Sequence, residues 1–427
     1  MSLPPFTLEH ARRLDHEDPL SRMRQQFLVP RHGDGDLVYL CGNSLGLQPR
    51  AVRDALEEVL ADWETLAVEG HFAARRSWMA YHELLAPSGE RLVGALPGEV
   101  VFMNSLSVNL HLMMVSFFRP QGRRTRILVE GGAFPSDQYA VDSQLRFHGL
   151  DPAQHKVELR PRPGEDTLRP EDILATIAAQ GNRLALVLLG GVNYYTGQAF
   201  DMRAITEAGH AAGAIVAFDL AHAAGNLELA LHEWGVDWAA WCGYKYLNSG
   251  PGGLAGVFVH ERHGRAFDLP RFAGWWGHDK ATRFRMPDRF EPMAGAEGWQ
   301  LSNPPILPLA ALRVSLESFD EAGMPALRAR SRRLTAWLEH GLEGLPAGRF
   351  RQLTPRDPEQ RGAQLSLFFP GGADTVMEGL QRAGVLADLR RPSVIRFSPA
   401  PLYNSFEDCW HAVQRLGSLP ASVTTGG

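Results

Sequence analysis

The chain has 427 residues, with 43 Lys or Arg and 48 Asp or Glu, which gives a formal net charge of −5 at pH 7. This mildly acidic balance excludes an electrostatic nucleic-acid binder, and a hydrophobic fraction of 44% excludes a mainly disordered chain. Glycine supplies 43 residues, well above the usual share of about 7%. The fold therefore needs many tight turns or close backbone approaches.

The composition also predicts the compartment. The first twenty residues combine early prolines with dense charge and lack the apolar stretch of a signal peptide. The most apolar window, residues 101–118, contains six polar side chains, so no membrane-spanning helix is expected. The three cysteines, Cys41, Cys242 and Cys409, are far apart and form no zinc-type pattern. A reduced, cytoplasmic protein without a metal site is predicted.

Short β-branched or leucine-rich runs alternate with helical stretches from about residue 125 onwards. The predicted strands are TRILVE, HKVELRP, LALVLLGGV, AIVAFDLAH, VDWAAWCGY and LAGVFVH, and the predicted helices between them are EDILATIAAQ and MRAITEAGHAAG. Near-continuous apolar strands that alternate with helices are typical of a mostly parallel sheet covered on both faces. The sequence therefore predicts an α/β domain.

The remainder of the chain predicts two further parts. A segment rich in Gly, Trp, Pro and Asn, residues 271–308, has little periodicity, and long irregular segments of this kind are usually functional. Helical sequence and then AQLSLFFP, TVMEGLQRAGV, PSVIRFSP and NSFEDCWHAVQRL predict a smaller α+β domain. The expected organisation is an N-terminal arm with helices (1–65), a large α/β domain (66–308) and a small C-terminal domain (309–427).

One hydrolase motif is present. The stretch from Gly42 to Gly46 reads GNSLG, which matches the GxSxG pattern of a nucleophile elbow. Gln48 and Pro49 delay the next helix, and too few residues precede the motif for the strands that flank an elbow. A glycine-rich structural turn is favoured, and a serine hydrolase using Ser44 stays open.

An acid and a lysine follow neighbouring predicted strands. Asp219 ends the strand AIVAFD, where ligands bind in open α/β sheets. Lys245 lies 26 positions later between two tyrosines, before the turn NSGPGG. Alone, Asp219 reads equally well as a turn cap and Lys245 as a snorkelling surface lysine. Together they form the pair that pyridoxal phosphate requires, a lysine for its aldehyde and a carboxylate for its ring nitrogen.

Two other segments fit the rest of such a cofactor. Ser105, Leu106 and Ser107 precede a helical stretch and offer hydroxyls and free amides to a phosphate, although an ordinary helix cap accounts for them as well. The loop FPSD, residues 134–137, follows the strand TRILVE and offers an aromatic ring beside polar groups.

Taken together, these segments resemble the kynureninases, pyridoxal-phosphate enzymes of fold type I in the class V aminotransferase-like group. The similarity extends from about residue 39 to residue 407 in the family's order. It rests on the stretches YLCGNSLGLQPR, MNSLSVNLHLMMVSFFRP, AFPSDQYA, GVNYYTGQAFDM, FDLAHAAGN, CGYKYLNSGPGG, GWWGHD, LSNPPI and IRFSPAPLYNSF.

The resemblance implies a fold and an activity. It implies a mostly parallel seven-stranded sheet in the large domain, and a homodimer with the active site at the subunit interface. The implied reaction is hydrolysis of the Cβ–Cγ bond of L-kynurenine or 3-hydroxy-L-kynurenine, in tryptophan degradation or NAD precursor synthesis. The products are L-alanine and anthranilate or its 3-hydroxy form.

The resemblance also implies roles for individual residues. Lys245 would form a Schiff base with the cofactor, Asp219 would pair with its ring nitrogen and Tyr244 would act as acid or base. The implied cofactor-binding residues of the same subunit are Leu106, Ser107, Phe134, Pro135, Ser136, Asp137, Asp219, His222, Tyr244 and Lys245. Trp275 and Asn303 would come from the partner. The implied substrate-binding residues are Asn43, His71, Ser302, Asn303 and Arg396, of which Arg396 would hold the α-carboxylate.

Departures and alternatives remain. Ser107 stands where the family commonly has Thr, and Gly190 stands where many relatives have a serine that touches the cofactor. His71, Ser302 and Asn303 resemble the residues found at these positions in relatives that favour 3-hydroxykynurenine.

A related enzyme of the same cofactor class, such as a cysteine desulfurase or an aminotransferase, is the first alternative. A desulfurase would need a mobile catalytic cysteine. A non-catalytic scaffold role is the least favoured alternative, because it gives Asp219 and Lys245 no function.

Overall fold

A seven-stranded sheet forms the centre of the molecule. The computed structural model describes residues 5–420. The strands are β1 (Val100–Phe102), β2 (Arg126–Glu130), β3 (Lys156–Leu159), β4 (Leu184–Gly190), β5 (Ile215–Asp219), β6 (Trp238–Cys242) and β7 (Ala255–Val259). Their order across the sheet is β1-β7-β6-β5-β4-β2-β3. Strand β7 runs antiparallel to both its neighbours, and the other pairs are parallel. The predicted fold class is confirmed.

Strand β1 is the element that the sequence pattern did not identify. The six strands predicted from apolar runs correspond to β2 to β7. Strand β1 has three residues, which is too short for a pattern of its own, and it pairs with β7 at the edge of the sheet. The seventh strand was therefore expected from the resemblance alone.

Helices cover both faces of the large sheet. Alternate residues of β2 point to opposite sides: Leu128 joins the core under α8 (Pro170–Gln180) and α9 (Met202–Ala211), whereas Ile127 and Val129 join the core under α5 (Leu106–Phe117) and α6 (Pro135–Phe147). The other helices are α1 (Leu8–Glu17), α2 (Val52–Leu66), α3 (Gly70–Ala73), α4 (Ala86–Val93), α7 (Pro152–His155), α10 (Glu261–Gly264), α11 (Ile306–Ala322), α12 (Met324–Glu343), α13 (Asp374–Arg382) and α14 (Phe406–Ser418).

The small sheet is antiparallel and has four strands. They are β8 (Arg351–Gln352), β9 (Leu365–Phe368), β10 (Asp388–Arg390) and β11 (Val394–Phe397), in the order β8-β9-β11-β10. Helices α12, α13 and α14 share its core. The last of them, α14, begins with a capping box, in which Ser405 and Asp408 bond each other's backbone amides.

The N-terminal segment is built into this small unit. The two-residue strand Val38–Tyr39 pairs in parallel with Val385–Leu386, and Ala11 and Leu40 belong to the core of the small sheet. Two further short ladders join Phe27–Leu28 to Gln48–Pro49 and Arg31–His32 to Gly35–Asp36. The predicted boundaries at residues 65 and 308 stay a prediction, and residues 1–4 and 421–427 of the outer parts lie outside the described region.

The remaining segments follow the sequence closely. The predicted helical region after residue 308 consists of α11 and α12, which are separated at Gly323, where φ is +76°. The irregular segment of residues 271–308 contains three short 3₁₀ turns, Trp275–Gly277, Arg283–Arg285 and Ala296–Trp299, before α11 begins. Further 3₁₀ turns are Ser21–Gln26, Ala67–Glu69, Tyr81–Leu84, Gly181–Arg183 and Pro358–Gln360. Between residues 5 and 420, no helix has the length and apolarity needed to cross a membrane.

Candidate active site

A cavity of about 240 Å³ lies at the carboxyl ends of the parallel strands. Strands β2, β4 and β5 each deliver their last residue to it, Glu130, Gly190 and Asp219. Its other lining residues are Ser105, Leu106, Ser107, Ala133, Phe134, Ser136, Asp137, Val192, Asn193, Tyr194, Ala221, His222, Tyr244 and Lys245. Most residues predicted to bind the cofactor within one subunit are therefore brought together here.

Lys245 projects into this cavity from the loop after β6. Its Nζ lies 3.0 Å from Nε2 of His222 and 5.9 Å from the centre of the Phe134 ring. Burial, together with the neighbouring lysine, lowers the pKa of His222 well below its usual value. The imidazole is therefore neutral and accepts a hydrogen bond from the amine. Its other nitrogen, Nδ1, is buried without a partner in the described region.

Two buried carboxyl groups face the same cavity. Asp219 is 8% exposed, and its Oδ1 accepts a hydrogen bond from the backbone amide of Ala221 at 2.8 Å. Asp137 hydrogen-bonds to Asp219, and burial and the adjacent Asp219 carboxylate raise the pKa of Asp137 well above its usual value. Burial also raises the pKa of Asp219, while Lys245 opposes that shift. A pair of carboxyls with one lysine nearby is a good receptor for a further cationic group.

The start of α5 lines the cavity with Ser105, Leu106 and Ser107. Ser105 is the N-cap residue and makes no capping hydrogen bond with its side chain. The first main-chain bond of the helix runs from Asn109 to the carbonyl of Ser105 at 3.0 Å, so the amides of Leu106 and Ser107 have no helical partner. Free amides at a helix N-terminus attract phosphate.

The GNSLG segment forms a turn that supports the lysine loop. No helix follows Ser44, because Gln48–Pro49 forms a short strand and α2 begins at Val52. The amide of Gly46 donates to the carbonyl of Tyr244 at 2.9 Å, and a Cβ at Gly46 would lie 2.5 Å from the carbonyl oxygen of Lys245. Glycine is needed here for close contact with the loop, and the strand–serine–helix geometry of a hydrolase elbow is not formed.

Arg396 and Asn43 lie near the cavity but do not line it. Arg396, on β11, is fully buried, and it forms an ion pair with Asp388 at 2.7 Å and donates to the carbonyl of Tyr194 at 2.5 Å. Asn43 donates to Oε1 of Gln364 at 2.7 Å, and its own Oδ1 is buried without a partner in the described region. These two of the five predicted substrate-binding side chains are thus held in place by protein groups.

Four other predicted residues are not brought to the cavity by this chain. Ser302 and Asn303 lie on the irregular segment, where Asn303 is exposed, and Trp275 there donates from its indole nitrogen to the carbonyl of Arg283 at 3.3 Å. His71 lies on α3 against the edge of Trp78, at 5.4 Å between ring centres. Their place in an active site stays a prediction.

The cysteines do not support the desulfurase alternative. Cys41, Cys242 and Cys409 are free and buried. Burial raises the pKa of all three thiols, to about 12 for Cys41. A desulfurase needs an exposed, ionisable nucleophile, and these thiols have neither property.

Several lining residues were not predicted from the sequence. Glu130, Asn193, Tyr194 and Ala221 border the cavity beside the predicted set. Glu130 has a signal in the sequence, because it ends its strand with an acid as Asp219 does. Gly190 also borders the cavity, and a Cβ there would lie 3.6 Å from Oε2 of Glu130.

Solved structures share this architecture. The apo structure of a cysteine desulfurase from Thermococcus onnurineus superposes with a TM-score of 0.70 at 19% identity and covers 96% of each chain. A variant of C-DES with glycine covalently linked to its PLP cofactor superposes with a TM-score of 0.77 at 18% identity, over 93% of this chain and 99% of that one. The fold and the site define an enzyme of the pyridoxal-phosphate fold type I class.

Sequence relatives narrow this class to a family. Residues 327–416 match the family model described as kynureninase C-terminal domain. The chain is 61% identical to the kynureninase of Koribacter versatilis over 404 residues, which are 94% of this chain and 95% of that protein. It is also 61% identical to the kynureninase of Myxococcus xanthus, over 95% of this chain and 96% of that protein. The chain belongs to the kynureninase family.

Proposed function

We propose that the chain is a pyridoxal-phosphate-dependent hydrolase that cleaves the Cβ–Cγ bond of L-kynurenine, 3-hydroxy-L-kynurenine or both. The products are L-alanine and anthranilate or 3-hydroxyanthranilate. The observation that carries this proposal is the convergence of Lys245 with the buried pair Asp137 and Asp219 in one cavity. The 61% identity to kynureninases supports it.

The residues of the cavity fit the cofactor. The carboxyl pair has Lys245 as a neighbouring cation and would gain a second from a protonated ring nitrogen, and Nδ1 of His222 is buried without a partner in the described region. We assign the aldehyde to Lys245, the ring nitrogen to Asp219 with Asp137, and the phosphate to Leu106 and Ser107 at the start of α5. Phe134, Pro135 and Ser136 would lie beside the ring, with His222 and Tyr244 completing the site.

The chain's own residues each have a separate role in the reaction. The bound cofactor supplies an electron sink for the substrate's Cα and Cβ. Lys245 removes the proton from Cα and returns one later. Burial raises the pKa of Tyr244, so its hydroxyl keeps its proton and can donate it to the γ-carbonyl oxygen as water adds to Cγ. Arg396 holds the α-carboxylate, and Asn43 lies beside this end of the substrate. When the Cβ–Cγ bond breaks, Cγ becomes the carboxylate carbon of the aromatic product. Cβ takes a proton to give alanine.

We infer a homodimer in which each site is completed by the partner. Trp275, which is 38% exposed, packs at 5.4 Å between ring centres on Phe284, and Phe284 packs at 6.3 Å on Phe72. This exposed aromatic cluster adjoins His71, and clusters of this kind on a protein surface are typical of interfaces. A second copy on this face would carry Trp275, Ser302 and Asn303 to the cofactor cavity.

The cellular setting is also a proposal. Free, buried cysteines fit a reducing cytoplasm, and the substrates place the enzyme in tryptophan degradation or NAD precursor synthesis.

Two measurements test the function. The purified protein should be yellow and should release fluorescent anthranilate from L-kynurenine, or 3-hydroxyanthranilate from the hydroxylated substrate. Treatment with borohydride should fix the cofactor on Lys245 in the wild type and leave Lys245→Ala unlabelled. A protein that releases neither product, or a Lys245→Ala variant that still shows a reducible imine, would refute the assignment.

A further inference from the structure

Glu130 is a buried carboxyl group that the proposed chemistry does not use. It ends β2, is 5% exposed and lies between the cofactor cavity and a second cavity of about 280 Å³ that also borders Asn193 and Tyr194. Its Oε1 accepts a hydrogen bond from Nδ2 of Asn193. Because burial of a carboxyl group is costly, this contact must offset that cost or serve a function.

Asn193 organises the turn that follows β4. Its Oδ1 accepts hydrogen bonds from the amides of Tyr195 and Thr196, at 2.8 and 2.7 Å, and from the hydroxyl of Thr196 at 3.0 Å. The side chain is thus bonded to Glu130 on one side and to the turn on the other. Because a free Asn side chain would rotate, Glu130 fixes the orientation on which these three bonds depend.

The same turn holds the small sheet in place. Its three consecutive carbonyls, those of Tyr194, Tyr195 and Thr196, accept side-chain hydrogen bonds from that side of the molecule. The donors are Arg396 at 2.5 Å, Ser366 at 2.6 Å and Thr354 at 2.5 Å, respectively.

Two of the predicted substrate-binding side chains, Asn43 and Arg396, depend on one of these carbonyls. Gln364 donates to the carbonyl of Tyr194 at 3.0 Å, and its Oε1 accepts from Asn43 at 2.7 Å. Arg396 donates directly to the same carbonyl. A displacement of the turn would therefore move Arg396 and Asn43 together.

We propose that Glu130 is a positioning residue for the substrate's α-carboxylate: it orients Asn193, and Asn193 holds the turn against which Arg396 and Asn43 are fixed. This inference rests on the proposed function, since it takes Arg396 as the group that holds the carboxylate. Glu130 itself touches neither Arg396 nor the carboxylate in this scheme.

Ligands that differ in the α-carboxylate separate positioning from general damage. L-Alanine carries the α-amino-carboxylate, and anthranilate carries only the aromatic part of the substrate. For Glu130→Ala we expect the dissociation constant of L-alanine, read from the absorbance of the bound cofactor, to rise about ten-fold, because a buried donor of Asn193 loses its acceptor. The inhibition constant of anthranilate and the affinity for pyridoxal phosphate should stay within about two-fold.

An exchange of donor and acceptor provides the rescue. Asn193→Asp keeps an oxygen for the turn but places a carboxyl against Glu130, and should weaken L-alanine binding as Glu130→Ala does. Glu130→Gln combined with Asn193→Asp restores one hydrogen bond in the reversed direction and should recover most of the affinity. If Glu130→Ala does not fold, the comparison of Asn193→Asp with the double variant still tests the proposal.

Glu99→Gln is the matched control, since Glu99 is a buried carboxyl at the opposite edge of the same sheet, where its carbonyl accepts from Val259. It should leave the binding of both ligands unchanged.

Three outcomes would each overturn the proposal: equal weakening of L-alanine and anthranilate binding in Glu130→Ala, unchanged L-alanine binding in that variant, or failure of the reversed pair to recover L-alanine affinity. Failure of the function itself is separate, because it would appear as a wild type that binds L-alanine but releases no aromatic product.

Discussion

Nζ of Lys245 donates a hydrogen bond to Nε2 of His222, and the two nitrogens are 3.0 Å apart. Since burial holds His222 in its neutral form, the ring accepts at Nε2 and carries its hydrogen on Nδ1. The lysine amine is thereby directed into the cofactor cavity by a residue that adds no charge of its own. The geometry prepares the amine for an aldehyde, and the buried pair Asp137 and Asp219 lies in the same cavity, where the raised pKa of Asp137 keeps a proton on the pair.

Replacement of this lysine should abolish turnover while leaving the fold intact. For Lys245→Ala we expect kcat for aromatic product release to fall by about 10³-fold, because the group that transfers the Cα proton is lost. The matched control is Lys156→Ala. Lys156 lies on β3, at the edge of the sheet, and pairs with Asp142. If both variants retained similar activity, the role of Lys245 would be wrong.

Asp219, which we assign to the ring nitrogen, should control cofactor binding. Asp219→Asn removes the charge that would balance a protonated ring nitrogen, so we expect cofactor affinity, kcat or both to fall by about 100-fold. Affinity is measured by titrating the apoprotein with pyridoxal phosphate and following its absorbance. Asp237→Asn, at a buried aspartate paired with Arg262 and His263 outside the cavity, should lower thermal stability and leave that affinity unchanged.

The choice between the two substrates should depend on His71 and Asn303. If these side chains bond the 3-hydroxyl group, then His71→Ala and Asn303→Ala should lower kcat/KM for 3-hydroxykynurenine about ten-fold more than for kynurenine. Both substrates are assayed side by side by release of anthranilate and 3-hydroxyanthranilate. An unchanged ratio in both variants would remove these residues from the specificity set.

Mixed dimers test whether the site is shared between subunits. Lys245→Ala and Asn303→Ala chains, each of low activity alone on 3-hydroxykynurenine, should recover about a quarter of wild-type activity on that substrate when unfolded together and refolded in equal amounts, because half of the dimers then contain one intact site of two. Lys245→Ala mixed with His222→Ala is the control, since both residues line the cavity of one chain. Complementation in the control pair, or none in the first, would contradict a shared site.

Glu130 should make stability depend on pH. Burial raises the pKa of Glu130 to about 7, from a usual value of 4.5. Between these values the folded protein binds the proton that the unfolded chain has lost, so this group's contribution to stability falls as the pH rises. Glu130→Gln removes that dependence.

The free energy of unfolding of Glu130→Gln relative to wild type should therefore increase by about 2 to 3 kcal/mol from pH 4.5 to pH 8. It is measured by urea unfolding of the apoprotein at several pH values, with Glu99→Gln alongside. Parallel curves for wild type and Glu130→Gln would show that the carboxyl group does not titrate in this range.

The sequence was most informative where chemistry and strand ends coincide. Asp219 and Lys245 could be identified as a pair because a buried strand that ends in an acid, and a lysine between aromatics before a glycine turn, seldom occur together unless both bind one ligand. Leu106 and Ser107 followed from the helix start. These local patterns placed most of the cofactor cavity, and the apolar runs placed six of the seven strands.

The remainder depends on contacts between distant parts of the chain. Asp388 pairs with Arg396 across neighbouring strands, and Asn193 meets Glu130 at a separation of 63 residues. Neither contact leaves a periodic signal, because each is fixed by how strands align in a sheet. His71, Trp275 and Asn303 lie outside the cavity of a single chain, so their roles rest on the resemblance and on a second subunit.

The small sheet requires both ends of the chain. Val38 and Tyr39 pair with Val385 and Leu386, and Ala11 and Leu40 fill a core made mostly of residues 334–416. During synthesis the N-terminal segment must therefore wait until almost the whole chain has left the ribosome before it finds its partners. The small sheet is consequently the last part to be completed, after the cavity at the ends of the large sheet has been able to form.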